Sequence, residues 1–409
     1  MKKKKLTMMI LMLLVSSCSI GENKGSASNC NATSLKPTTI SIPASDFNSQ
    51  DISVTPMDDN QLKYEIKDNK YCKVIGLEED LTKESVDEIV VPDKKMINGK
   101  VYIVNEIVSE AFSGCTSLEK ITLPFVGGSK DNNTYLGYIF GASYYTKNLD
   151  YVPSSLKEVV ILEGCTSIGG YAFYDCTSLT SIIIPSSVTT IGDCAFENCT
   201  SLTSIIIPSS VTTIGGSAFY GCVSLTIITI PSSVTTIGGA AFFRCISLTI
   251  YCEASSKPGE WNNYWNRGIP VYWGITSNNK VEIDGIIYVI ENNEAIVTRY
   301  VDNETSVTIP TSITFNGKTY SVTKIGDRAF SWCTSLTSIT IPSSVTKIGG
   351  YAFYYCTSLT SITIPSSVTT IGEEAFSGCA SLTIYCEVDS EPDGWDNFWN
   401  SGRPVIWNY

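Results

Sequence analysis

The chain has 409 residues, 43% of them hydrophobic and 17% charged, with a formal net charge of −12. So acidic a balance repels phosphate backbones and gains nothing from counterion release, which disfavours nucleic acid as a partner. Histidine is absent, and with it go the commonest general base, the Ser-His and Cys-His dyads and the commonest zinc ligand.

At the N-terminus, Lys2 to Lys5 precede an apolar run from Leu6 to Val15 and then Ser16-Ser17. A basic start, a short apolar stretch and small residues mark a secretory signal over 1–17. The apolar run is too short to span a bilayer. Val15-Ser16-Ser17-Cys18 resembles the lipobox of bacterial lipoproteins, which implies that Cys18 is acylated and becomes the new N-terminus; the plainer alternative is a cleaved signal followed by a chance cysteine. Residues 18–55 are rich in Ser, Asn, Thr and Gly and read as a flexible tether.

The remainder is governed by an internal period. Ala-Phe-x-x-Cys recurs at Phe173/Cys176, Phe196/Cys199, Phe219/Cys222 and Phe242/Cys245, and again at Phe330/Cys333, Phe353/Cys356 and Phe376/Cys379, each 23 residues from the last; a further copy stands at Phe112/Cys115. Between copies runs Leu-x-x-Ile-x-Ile-Pro-Ser-Ser-Val-Thr-x-Ile-Gly, as from Leu179 to Gly192. Ile182 and Ile184 alternate as on a half-buried strand. Pro185 lacks an N–H and helps end it, Val188 and Ile191 point back inward, and Ala195-Phe196 fill the opposite wall from a short helical turn. One such unit cannot bury its own apolar face, so neighbours must stack at the strand spacing of about 4.8 Å.

These motifs resemble the BspA-like class of bacterial leucine-rich repeats over most of residues 104–250 and 320–384. The resemblance implies a leucine-rich-repeat solenoid of about 23-residue repeats, β-dominated and horseshoe-like. It also implies a surface protein that adheres to host matrix proteins or to other cells.

Two capped modules are expected, 56–274 and 275–409. Leu-Thr-Ile-Tyr-Cys at 248–252 returns at 382–386, and Trp261, Trp265 and Trp273 are matched by Trp395, Trp399 and Trp407, every offset being 134. These read as C-terminal caps. Asn98-Gly99 and Asn316-Gly317 read as hairpin turns of N-terminal caps. The first module carries an insert over 127–155 with Tyr135, Tyr138, Tyr144, Tyr145 and Tyr151. Tyrosines on a loop held by a rigid scaffold are candidates for ligand contact; packing on the solenoid flank is the blander reading.

Of the 15 cysteines, eight occupy the Ala-Phe-x-x-Cys slot. They read as small buried core residues rather than disulfides, and without a Cys-x-x-Cys pair no zinc site is expected. Outward strand positions form a hydroxyl ladder, with ligand candidates Thr180, Thr203, Thr337, Thr340, Thr360 and Thr363, although Thr also simply suits exposed strands. No catalytic constellation and no cofactor are expected. The leading function is binding of an extracellular protein by a lipid-anchored surface protein. The alternative is glycan capture, with Asp131, Asn132 and Asn133 beside the insert's rings.

Overall fold

A computed structural model describes residues 61–130 and 134–409. Each 23-residue unit makes one coil. In the coil that starts at Leu179, the strand Ser181–Ile183 forms one wall and Thr190–Ile191 a second. Ile182, Ile184, Val188, Ile191, Ala195 and Phe196 are all buried. Neighbouring coils pair in parallel and in register, Ser181 with Ser204 and Ile182 with Ile205, so like side chains lie on like. The result is an eight-stranded parallel sheet running from Glu88–Val90 through Lys120–Leu123, Glu158–Ile161, Ser181–Ile183, Ser204–Ile205, Ile227–Ile230 and Thr249–Cys252 to Val271–Trp273. A narrower four-stranded sheet covers the second wall.

The third wall departs from the expected helical turn. Helical turns among the described residues are short and lie elsewhere, at Lys83–Ser85 and within the insert. At the Ala-Phe corner two residues per coil take the left-handed region, for example Cys194 (φ 54°) and Asn198 (φ 59°). They break any helix after a single turn and aim alternate N–H groups along the stack. Cys194, Phe196 and Asn198 donate to the carbonyls of Gly216, Ala218 and Tyr220 in the next coil, at 2.9, 2.7 and 2.7 Å. Inside this corner the phenylalanine rings stack nearly parallel, with centroids 5.1 Å (Phe173–Phe196), 5.2 Å (Phe196–Phe219) and 5.3 Å (Phe219–Phe242) apart.

The cysteine slot answers a polar need as well as an apolar one. Cys199, Cys222 and Cys245 are buried, and their thiols donate to the carbonyls of Phe173, Phe196 and Phe219 at 3.1, 3.2 and 2.9 Å. Cys356 and Cys379 do the same to Phe330 and Phe353. All thirteen cysteines among the described residues are free thiols.

The tryptophans end the stacks. Trp265 meets Phe242 edge-on at 5.8 Å, and Trp399 meets Phe376 edge-on at 5.9 Å. Trp261 and Trp395 donate their indole N–H to Val234 and Val368 carbonyls, each at 3.2 Å. At the other end of each stack lies a mixed sheet. Leu62–Ile66, Tyr71–Leu77, Lys100–Ile107 and Lys94–Ile97 form the first. Ile286–Glu291, Glu294–Tyr300, Lys318–Ile325 and Ser312–Phe315 form the second, which gains Lys280–Ile283. Asn98-Gly99 and Asn316-Gly317 turn their hairpins with positive φ at both residues. One apolar cluster runs from Leu62 to Ile269 and another from Ile286 to Trp399. A third, small one joins Tyr251 and Ile275 to Ile287 and Val289.

Candidate interaction surfaces

The outward face of the eight-stranded sheet changes character along its length. At the early coils Lys120 lies 3.4 Å from both Glu88 and Glu158. Against the penalty of partial burial, the charges of Glu158 and Glu88 raise the Lys120 ammonium above its ordinary value. The next coils put Ser181 and Ser204 in this row. Beside them the outward positions hold Ile183, 49% exposed, and Ile206, 73% exposed. Two large β-branched side chains thus face water on adjacent, paired coils.

Further along, the same face is covered. Tyr251 is fully buried, and its hydroxyl lies 2.7 Å from Thr298 Oγ1, which donates to the Ile287 carbonyl at 3.0 Å. Lys280 Nζ lies 4.6 Å above the Tyr251 ring and 3.4 Å from Thr229 Oγ1. Burial lowers the Lys280 ammonium below its ordinary value. The strip at Ile183 and Ile206 is therefore the open stretch between a charged end and a covered end.

The threonine candidates divide into two kinds. Thr180 Oγ1 donates to the Lys157 carbonyl at 3.0 Å, Thr203 to Thr180 at 3.3 Å, and Thr337 to Thr305 at 2.8 Å. These hydroxyls tie coil to coil, and their single donor is already used. Thr340 and Thr360 are exposed, and Thr363 is half-buried one coil on from Thr340. A second tying column had escaped the sequence reading: Thr189, Thr212 and Thr235 donate to the preceding coil's carbonyl at 3.2, 3.3 and 3.2 Å.

Residues 134–155 pack into one long coil rather than hanging on the flank as a loop. Lys120 pairs directly with Glu158, so the segment closes a single turn of the stack. Leu136, Ile139 and Phe140 are buried, and Phe140 lies 6.4 Å from Phe112. Leu136 N–H donates to Ala172 O at 2.7 Å, and Phe112 N–H to Ile139 O at 2.9 Å, which is the coil-to-coil pattern of the repeats. Asn148, which the sequence reading passed over, locks the turn. Fully buried, it accepts from Gly137 N–H and donates to Tyr174 O, both at 2.9 Å. Gly137 is required there, since a Cβ would meet Asn148 Oδ1 at 2.5 Å.

Packing also sorts the tyrosines. Tyr135 donates to Ala142 O at 3.1 Å and stands edge-on to Tyr138 at 6.4 Å. Burial raises its hydroxyl above the ordinary value. Tyr145 stacks on Tyr171 at 4.0 Å and meets Tyr174 edge-on at 5.3 Å. Tyr144 is 67% exposed and makes no ring contact among the described residues. Asp131, Asn132, Asn133 and Cys18 lie outside the described residues. Among the described residues no helix is long and apolar enough to cross a membrane.

A sequence model described as "BspA type Leucine rich repeat region" matches six copies over residues 97–135, 147–258 and 303–388, more than half of the chain. No curated protein matches it. Among solved structures, the chain is similar to a leucine-rich repeat protein of Bacteroides ovatus. Identity there is 23% over 85% of this chain and 70% of that one, with TM-score 0.30. A leucine rich cell surface protein of Faecalibacterium prausnitzii is 24% identical over 87% and 96%, with TM-score 0.33. A leucine-rich repeat protein of Eubacterium ventriosum is 26% identical over 65% and 70%, with TM-score 0.37.

Proposed function

The chain belongs to the BspA type leucine-rich repeat family, and from that premise we propose that it is an exported surface lipoprotein, anchored through Cys18, that binds an extracellular protein and catalyses nothing. The ligand belongs to host matrix or to another cell. The chain presents two capped modules, 56–274 and 275–409, and its contact surface is the open sheet face at Ile183 and Ile206.

The observation that carries this reading is the exposed isoleucine pair. In the second stack the water-facing strand positions include Thr340 and Ser361, both exposed. Leaving two isoleucines exposed forgoes solubility unless a partner removes them from water. Glu88, Lys120 and Glu158 on the same face supply charges that fix orientation and favour one partner over another.

The test is solid-phase capture of immobilised matrix proteins by the exported chain and by Ile183→Lys/Ile206→Lys. Both sites are exposed, so the melting temperature should hold while capture falls at least tenfold. Undiminished capture would sink the sheet face as the site. For the anchor, Cys18→Ala should move the protein from the membrane fraction to the soluble one. A mutant that stays with the membrane rules out acylation at Cys18.

A further inference from the structure

The joint between the two stacks leaves an open cleft of about 660 Å³ that the protein-binding reading does not use. One wall is the segment that ends the first stack, contributing Trp273, Asn263 and Asn266. The facing wall is the ledge where three successive coils of the second stack turn, contributing Asp327, Gly350, Tyr351 and Glu373. The joint is a packed one. Tyr251 is sealed against Thr298, Ile287 and Val289, and a side chain at Gly326 would run into the Tyr272 hydroxyl. The cleft is thus a product of how the stacks are joined, and no single coil carries it.

From this cleft we infer a second site, which binds a neutral oligosaccharide. Its volume falls in the range of about 300–1,000 Å³ usual for small-molecule sites. Its lining combines flat rings with hydrogen-bonding groups of both senses, which is what a pyranose needs: C–H faces to lie on rings and hydroxyls to bridge donors and acceptors. Trp273 is held by Trp261 at 5.7 Å and Trp265 at 6.3 Å, so its ring is fixed before any ligand arrives. Tyr351 is held edge-on by Tyr354 at 5.6 Å and lies beneath the Arg328 guanidinium at 5.3 Å.

The charges choose among ligand classes. The two cations of the lining, Lys257 and Arg328, are matched in number by two carboxylates, Asp327 and Glu373; Lys257 donates to Asn263 Oδ1 at 3.0 Å, and Arg328 sits over Tyr351. The carboxylates are not fully engaged. Asp327 accepts from Gly350 N–H at 3.0 Å through one oxygen, and Glu373 makes no side-chain hydrogen bond or ion pair among the described residues. A phosphate or uronate would meet as many carboxylates as cations and gain no net attraction. A sugar hydroxyl can donate to those same carboxylates, and charged acceptors make the stronger hydrogen bonds. Gly350 leaves the floor bare between Asp327 and Glu373, so the two acceptors face one space.

The experiment is a glycan array with the full chain, followed by titration calorimetry with maltohexaose, cellohexaose, xylohexaose and mannohexaose. Gly350→Leu fills the floor at a position with ordinary φ, where a Cβ meets nothing nearer than Glu373 O at 3.4 Å, so the fold should hold. The inference expects at least one neutral oligosaccharide to bind. It expects Gly350→Leu and Glu373→Ala each to weaken that binding at least tenfold with unchanged melting temperature. Absence of binding across the neutral glycans, binding of acidic glycans alone, or binding untouched by Gly350→Leu would each overturn it. Capture of matrix protein through Ile183 and Ile206 should be unaffected by Gly350→Leu, so the two readings fail separately.

Discussion

Phe196 offers the most direct test of the coil geometry. Its ring is fully buried between two nearly parallel rings, Phe173 at 5.1 Å and Phe219 at 5.2 Å. A phenylalanine removes about 150–250 Å² from water. At about 25 cal/mol per Å² that is roughly 4–6 kcal/mol, reduced by about 10–40% because the denatured chain is itself partly compact. Truncation to alanine leaves a gap that two stacked coils cannot close, because their spacing is set by backbone hydrogen bonds such as Phe196 N–H to Ala218 O. Phe196→Ala should therefore cost about 3–5 kcal/mol, the usual range for a buried Phe→Ala. Urea denaturation followed by tryptophan fluorescence reads it, since Trp261 and Trp265 end the same stack. Phe398→Ala is the control: that ring is 71% exposed, and its loss should stay within about 0.5 kcal/mol. A cost below about 1 kcal/mol for Phe196→Ala, or equal costs for both, would refute the inward stack.

Two further outcomes follow from the corners and the thiols. Ala240 holds φ 54° at a corner, where a Cβ costs about 1–2 kcal/mol and glycine's extra unfolded freedom returns about 0.5–1 of it; Ala240→Gly should raise stability by about 0.5–1 kcal/mol in the same assay, and a loss would contradict the left-handed assignment. Burial pushes the Cys252 and Cys386 thiols from an ordinary value of 9.0 up to about 12. Unfolded thiols ionise from about pH 9 while folded ones stay protonated, so this stability is complete below pH 9 and is lost as pH rises toward 12. The slope is about 1.4 kcal/mol per pH unit per thiol. Urea midpoints from pH 8 to 11 should fall, and fall less steeply in Cys252→Ala/Cys386→Ala; identical slopes would show that these thiols titrate normally.

The coil was legible because its signal is repeated: Leu179, Ile182, Ile184, Val188, Ile191 and Phe196 recur at one spacing, and all are buried. The corner was read less well. Its left-handed residues are as varied as Cys194, Asn198, Arg244 and Trp332, so no residue type announced the conformation that excludes a helix there. Residues 134–155 lack the period, and their place in the stack rests on Leu136, Ile139 and Asn148 finding partners in sequence-distant turns. Outward threonines look alike in sequence. Whether a hydroxyl ties two coils, as at Thr180, or faces solvent, as at Thr340, depends on the carbonyl of a coil 23 residues or more away.

The joint shows how the chain can stack its two arrays without inviting further stacking. The hairpins that begin each array superimpose by register: Lys63 opposite Gly76 and Glu65 opposite Lys73 in the first correspond to Ile287 opposite Arg299 and Val289 opposite Ile296 in the second. Where the hairpin covers the preceding array, the outward pair is Ile287 and Val289, packed with Tyr251. Where it begins the described chain, the same positions are Lys63 and Glu65, ion-paired to Glu79 at 2.7 Å and Lys73 at 3.1 Å. Seating that charged face on an exposed cap such as Tyr385 and Tyr409 would strip water from two ion pairs for little apolar gain. Two hairpins of the same register thus acquire opposite tendencies from two side chains each. Charge at the leading hairpin opposes head-to-tail growth of fibres, the hazard of any heterologous contact that does not close, while apolar side chains at the internal hairpin hold the two walls of the cleft in register.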